Sequence, residues 1–341
     1  MLRAPILGGE RYDILVETKQ RRRKRRFLLL VEALEYRDIV RHRPLRPRRA
    51  AAALIYESVG SSLPHETGGD ADDSSCGAVG ARSCVFVNCP FPQFPPSFRR
   101  ECVTPDQLRL RAPVEDDADV LKAYYPEGDN FQEFFLNLYF NTRINKHVFK
   151  SPISPPYYHQ GQEQSIYDTC DEAKPEKPCF YHLNITANAV VQLVVTNFGV
   201  AHHPFHMHGS HFYVLKMGYG VYNESNNYLE GRSADFKCKD GNDRCYETEW
   251  TNGDWSRGRV PDMNLLDPSS RDTITVPLNG YAVLRFRASN TGWFYAHCHL
   301  MGHHLTGTAV ALKVGEVDEM PRPPDGFPNG CGLFDFPNYR P

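Results

Sequence analysis

Nowhere in the 341 residues is there a run approaching the ~18–20 consecutive apolar residues that a membrane-spanning helix needs. A secretory signal is not visible either. The one apolar stretch near the start, residues 27–31, follows a basic run and is broken by Glu32 and Glu35. No internal repeat stands out, so nothing points to a solenoid or propeller. Histidine is sparse over the first 200 residues, where His42, His65, His147, His159 and His182 all stand alone. Among Cys76, Cys84, Cys89 and Cys102 there is no tight pair of the zinc-binding kind, and they read instead as disulfides tying a linker to the last domain. The net charge is only −2 but unevenly spread, with 15 Lys/Arg against 6 Asp/Glu in residues 1–49. That basic excess sits in RRRKRR (residues 21–26) and RHRPLRPRR (residues 41–49). No interleaved aromatics, zinc spacing or recognition helix accompanies these runs. They therefore read as a solvated insertion rather than a nucleic-acid patch.

What the sequence has in quantity suits a β-rich protein with many turns: 12% aromatics, 26 prolines and 25 glycines. Its length allows two domains. The histidines gather in two places, A-H-H-P-F-H-M-H-G (residues 201–209) and W-F-Y-A-H-C-H-L-M-G-H-H-L-T-G-T (residues 293–308). The apolar entry to the second reads as a buried strand. Successive side chains of a strand point to opposite faces, so Cys298 faces one way while His297 and His299 face the other. One strand end is thereby able to serve two metal centres. Thiolate with imidazole suits copper, and two histidines with one cysteine is the blue-copper donor set.

Together the two stretches resemble the C-terminal copper motifs of multicopper oxidases, the laccase-like family, whose pattern is H-P-x-H-x-H-G followed by H-C-H-x-x-x-H. Every metal-binding position of that pattern is matched. The resemblance implies that His203, Cys298 and His303 hold a type 1 copper and His206 a type 2 copper. It gives His208, His297 and His299 to a type 3 pair, with Cys298, His297 and His299 forming the electron path. Thr308 falls at the axial position, where the family commonly has Met, Leu or Phe. As a poor copper ligand it implies a three-coordinate site of raised potential. The ligating atoms of the type 1 set should converge within a few ångströms. The other four histidines should cluster on the far side of the Cys298 strand, on the order of 10 Å away. His202, His211 and His304 lie beside ligands without fitting the pattern. Asp272 is placed to hydrogen-bond a ligand loop, or is an ordinary strand-end residue.

The implied fold is all-β. Residues 129–317 form a C-terminal cupredoxin-like Greek-key β-sandwich, residues 318–341 an extended tail and residues 61–128 an irregular linker. Residues 1–60 are a remnant of a middle cupredoxin-like domain, on the strength of G-E-R-Y-D (residues 9–13) and A-A-A-L-I-Y (residues 51–56). Strands are expected over residues 12–16, 134–140, 190–197, 212–217, 271–277, 281–288 and 308–314. Between them, residues 218–271 form a polar excursion of a type found near substrate sites. Cys170 with Cys179, and Cys238 with Cys245, bracket short loops as candidate disulfides.

The function so implied is one-electron oxidation of a phenol, an amine or a metal ion at the type 1 copper. It is coupled to reduction of O2 to water by a trinuclear centre, making up to four coppers in the complete site. The family also draws two His-x-His motifs from an N-terminal domain, and this chain has no counterpart of them. The chain is thus expected to be a C-terminal part needing that domain, inactive alone. It would need no nucleic acid and no transmembrane segment. Cysteine usage and the sequons at Asn184 and Asn223 point to secretion. The competing readings are an electron-transfer cupredoxin that keeps only the type 1 site, and an inert fragment.

Overall fold

The computed structural model describes residues 2–3, 6, 8–13, 26–32, 49–55, 84–89, 91–94, 100–110, 118–139, 142–159, 168–240 and 245–329. The basic runs apart from Arg26 and Arg49, the stretch 57–75, Cys76 and the tail beyond residue 329 lie outside these residues. The chain divides into two units, residues 12–72 and the remainder. In the smaller one, Arg26–Glu32 pairs antiparallel with Arg49–Ile55, from Arg26 opposite Ile55 to Glu32 opposite Arg49. The apolar F-L-L-L-V run thus forms a strand inside the stretch read as an insertion, as β-favouring residues do when a partner strand is to hand.

The larger unit is built on two sheets. The strands of these two sheets are β1 (Phe131–Tyr139), β2 (Arg143–Ile144), β3 (His182–Ile185), β4 (Val190–Phe198), β5 (His203–Met207), β6 (Phe212–Gly218), β7 (Ser270–Arg271), β8 (Thr273–Val276), β9 (Tyr281–Arg287), β10 (Gly292–Cys298) and β11 (Ala309–Val314). One sheet runs β8-β5-β10-β11-β3 and the other β7-β6-β9-β4-β1-β2. Two pairings, β1 with β4 and β11 with β3, are parallel. The architecture is the all-β, cupredoxin-like sandwich.

Period-2 alternation explains the core. Val191, Leu193 and Val195 of β4 pack with Phe205 and Met207 of β5, Ile274 of β8 and Val310 and Leu312 of β11, filling the space between the sheets. The intervening Val190, Val194 and Phe198 point out the other side and are just as buried, because a second layer covers them. Residues 218–271 supply most of that layer through Phe236, Trp250 and Val260. The excursion expected near a substrate site therefore packs largely on the outer face of the six-stranded sheet, whereas the histidine motifs lie on the five-stranded one.

Much of the stretch read as linker packs on the sandwich as well. Asp106 accepts a hydrogen bond from Met217 N at 2.9 Å, and Asn264 Nδ2 donates to the Asp106 carbonyl at 2.9 Å. Further on, Arg285 of β9 is fully buried and donates to the carbonyls of Val120 (3.1 Å) and Lys122 (2.7 Å) and to Gln192 Oε1 (2.5 Å). One guanidinium so fastens residues 118–125 to the sheet, a use of its planar donor fork that composition does not reveal. Disulfides link Cys89–Cys102, Cys170–Cys179 and Cys238–Cys245. The last two are the pairs that bracket short loops.

Two predictions come from this layer. Arg285→Met leaves buried acceptors unpaired and should cost about 2–4 kcal/mol, read as a lower urea midpoint with an unchanged slope. The second concerns Glu133, whose carboxyl burial pushes up from 4.5 to about 7 despite a hydrogen bond from Gln192. A folded-state value above the unfolded one means that the native state binds the proton more tightly. That contribution is complete below about pH 4.5 and is lost as pH rises through about 7. Thermal unfolding across this range should show wild-type stability declining and Glu133→Gln losing that component of the decline. An identical decline in both would assign it to another group.

Candidate metal centre

β10 lies inside its sheet, between β5 and β11, and its register fixes the site. Phe205 stands opposite Cys298 and His206 opposite His297. Opposed residues of an antiparallel pair share a face. Phe205, Met207 and Ala296 belong to the core between the sheets, so Cys298 and His203 share that inner side. His206, His208, His297 and His299 take the outer one.

On the inner side three donor atoms converge. Nδ1 of His203 is 3.2 Å from Cys298 Sγ, which is 3.7 Å from His303 Nδ1, and the two Nδ1 atoms are 3.3 Å apart. A triangle of this size suits one first-row metal ion held at about 2.0–2.3 Å from nitrogen and sulfur. Cys298 is wholly buried and is the free cysteine among the described residues. Burial pushes its thiol up to about 11, so a cation is needed to draw out the thiolate. Burial, aided by the charge on His303, takes His203 down to about 4. Its imidazole is therefore neutral and ready to ligate at pH 7. His203 Nε2 is buried with no hydrogen-bond partner, which leaves Nδ1 as its working atom.

Local structure holds this triangle. Asn197, buried at the end of β4, donates to the carbonyls of Ala201 (2.9 Å) and Val276 (3.0 Å), pinning the turn before His203. Gly199 in that turn leaves no space for a side chain, because a Cβ there would stand 2.7 Å from His203 Nε2. Beyond Cys298, the helix Met301–Leu305 carries His303. Thr308 closes the loop, its carbonyl accepting from Cys298 N at 3.1 Å and its N–H donating to the His303 carbonyl at 2.9 Å. The Thr308 hydroxyl is buried without a partner.

Donor atoms of His206, His208 and His297 group on the outer face. Nε2 of His208 is 3.2 Å from Nε2 of His297. The His299 ring is 5.5 Å from that of His206 and 5.7 Å from that of His297. Hydrogen bonds set the tautomers. Nδ1 of His297 is 2.9 Å from the Cys298 carbonyl, and Nδ1 of His206 is 2.9 Å from the Asp272 carbonyl. A carbonyl only accepts, so both Nδ1 atoms carry the proton and both Nε2 lone pairs are free for a metal. Burial lowers His206 and His208 and takes His297 to about 4, so the cluster is largely uncharged near neutrality. Its rim is open: His208 and His299 are exposed.

Of the histidines set aside in the sequence, His202 accepts from Leu278 N at 3.0 Å and His211 is exposed. His304 is closer to the chemistry than its position suggests. Its ring lies 4.8 Å from that of His297, with a buried, unpartnered Nδ1. Only the i+1 neighbour relation to His303 hinted at this. A third His/Cys grouping, His147 with Cys170 and Cys179, is taken up by the disulfide between its cysteines.

The sequence profile of the multicopper oxidase family matches residues 151–318. Laccase-6 of Oryza sativa subsp. japonica is 27% identical over 198 residues, covering 56% of this chain and 29% of the relative. Laccase-12 of Arabidopsis thaliana is 32% identical over 153 residues, 43% of this chain and 21% of the relative. A solved structure of Fet3p, described as a multicopper oxidase that functions in iron import, overlaps 57% of this chain and 32% of its own. Its TM-score is 0.39 at 19% identity, a partial superposition that by itself fixes nothing here. The chain thus spans between 20% and 29% of the length of the curated laccases it matches. Residues 151–318 are a multicopper oxidase domain, laccase-like in sequence.

Proposed function

We propose that this chain is the part of a laccase-like copper oxidoreductase that holds one whole copper site and contributes half the imidazoles of a multicopper one. The observation supporting this reading is the placement of two donor sets on the two faces of one strand, with Cys298 in the inner set and its neighbours His297 and His299 in the outer. In this reading His203, Cys298 and His303 hold the type 1 copper. His206 serves the type 2 copper, and His208, His297 and His299 serve the type 3 pair. The coppers, when bound, supply one-electron redox chemistry and a place for O2 to take four electrons.

The chain's own residues make that chemistry directional. The interior excludes water from Cys298, while His303 is partly exposed on its short helix and would be the ligand nearest an incoming small reductant. That reductant is a phenol, an amine or a metal ion. Cys298 is covalently joined to His297 and His299, so the path between the two donor sets is a few bonds long. Thr308 stands at the family's axial position with a buried, unpartnered hydroxyl, a poor copper ligand, so a copper here would be held by three strong donors. The three disulfides among the described residues suit an oxidising compartment, and we place the protein outside the cell on that ground.

The four outer imidazoles leave the multicopper site half-built, and the remainder would come from outside residues 1–341. A second reading, a type 1 electron carrier, is favoured by the contrast between the buried His203 and Cys298 of the inner set and the exposed His208 and His299 of the outer one. Copper analysis with oxygen uptake separates the two from a competent oxidase. The purified chain should retain about one tightly bound copper and consume no oxygen steadily with a phenol, because binding weakens steeply as ligands are lost. Phenol-dependent uptake that scales with bound copper would show the outer set to be complete. Thr308→Met should lower the reduction potential of the type 1 site by adding a weak thioether bond. A redox titration giving the same or a higher potential would mean that residue 308 does not face the metal.

A further inference from the structure

Residues 8–11 lie as a strap against the histidine face, and Glu10 anchors them. Its carboxylate is buried, accepting from Thr275 N at 2.8 Å on the edge strand β8 and from Asn88 Nδ2 at 2.9 Å. Of the residues either side of this anchor, Gly9 lies against His299 and Arg11 pairs with Asp272, whose carbonyl meets His206. Gly9, at φ +83°, sits so near His299 that a Cβ would stand 2.7 Å from two ring atoms, inside any ordinary contact. Its bare backbone is a wall against that imidazole. Arg11 donates from Nη2 to Asp272 Oδ2 at 2.5 Å and from Nη1 to the Gly9 carbonyl at 2.9 Å. The other Asp272 oxygen accepts from the Thr273 hydroxyl at 3.0 Å. The Thr273 oxygen is in turn 2.9 Å from His206 Nδ1, as is the Asp272 carbonyl.

Arg11 is 64% exposed and Asp272 21%, so this ion pair adds at most about 1 kcal/mol to stability. Direction is what it provides. With both carboxylate oxygens occupied, Asp272 cannot swing away, and the hydroxyl of Thr273 is spent as a donor. Thr273 Oγ1 is then left only to accept, so it shares the Nδ1–H of His206 with the Asp272 carbonyl and Nε2 stays free.

We propose that Gly9 and Arg11 are positioning residues for the outer histidine set: Arg11, by holding Asp272 and through it Thr273, reinforces the Nδ1–H tautomer of His206 that the Asp272 carbonyl favours, and Gly9 sets the ring plane of His299. This rests on the copper reading of that set. The strap therefore ties the conformation of residues 8–11 to the metal affinity of two ligands far along the chain.

The test compares the full-length wild-type chain with Arg11→Met, Arg11→Lys and Gly9→Ala. Imidazole tautomers are read by nitrogen-15 NMR without metal, and cupric-ion affinity by titration followed through nitrogen hyperfine splitting. Circular dichroism reports the fold. Wild type should hold His206 as the Nδ1–H form. Arg11→Met should mix the tautomers and weaken cupric binding at the outer set at least about tenfold, with Arg11→Lys recovering part of both. Gly9→Ala should weaken binding while leaving the His206 tautomer alone. If Gly9→Ala does not fold, the Arg11 variants decide. A natively folded Arg11→Met with unchanged His206 tautomer and affinity overturns the proposal and leaves the copper reading standing. A tautomer change in a protein whose wild type binds no cupric ion at these histidines upholds the positioning of His206 and overturns the link from the strap to metal affinity in this chain.

Discussion

Everything in the candidate centre depends on the side-chain alternation of one inner strand, β10, held in register by backbone hydrogen bonds on both sides. The opposition of His206 to His297 and of Phe205 to Cys298 decides which donors meet. A slip of one residue would carry Cys298 to the outer face and the histidines into the core. That slip is blocked by packing. Ala296 and Met207 fill the space between the sheets, and their burial holds Cys298 on the same inner side. The hydrophobic core is thus what separates the two donor sets.

Burial then prepares the donors electrically. It keeps His203 and His297 neutral at values of about 4, and it keeps Cys298 protonated until a cation arrives. A buried imidazole without charge is a ligand in waiting, and a buried thiol with a raised value is inert to oxidation. The same desolvation acts differently on the far side of the sandwich. There the charge of Arg285 is kept by hydrogen bonds to carbonyls and used to fasten residues 118–125. One physical cost, removal of water, is met by keeping the histidines and the thiol uncharged at one sheet and by backbone acceptors at the other.

The residues that converge were legible in the sequence because their spacing is local: His203, His206 and His208, and again Cys298 and His303, stand within a few residues of each other. Strands with β-branched runs, such as Val190–Phe198, were legible for the same reason. What could not be read was long-range. Arg285 looks like any strand arginine, and nothing near it signals that Val120 and Lys122 will come to its side chain. The outer layer formed by residues 218–271 is polar enough to read as a loop, yet Phe236, Trp250 and Val260 are spaced to cover a sheet only once it is folded. Gly9 and Arg11 carry a family-like motif, but their neighbours His299 and Asp272 lie more than 250 residues away. His304 was unreadable for the opposite reason, since a histidine beside a ligand is commonplace until its ring is seen against His297.

The most direct measurement is anomalous diffraction at the copper edge from crystals of the copper-loaded chain. A strong peak is expected among His203 Nδ1, Cys298 Sγ and His303 Nδ1, on the inner side of β10. Copper found only on exposed histidines, with Cys298 Sγ bound to no metal, would contradict it.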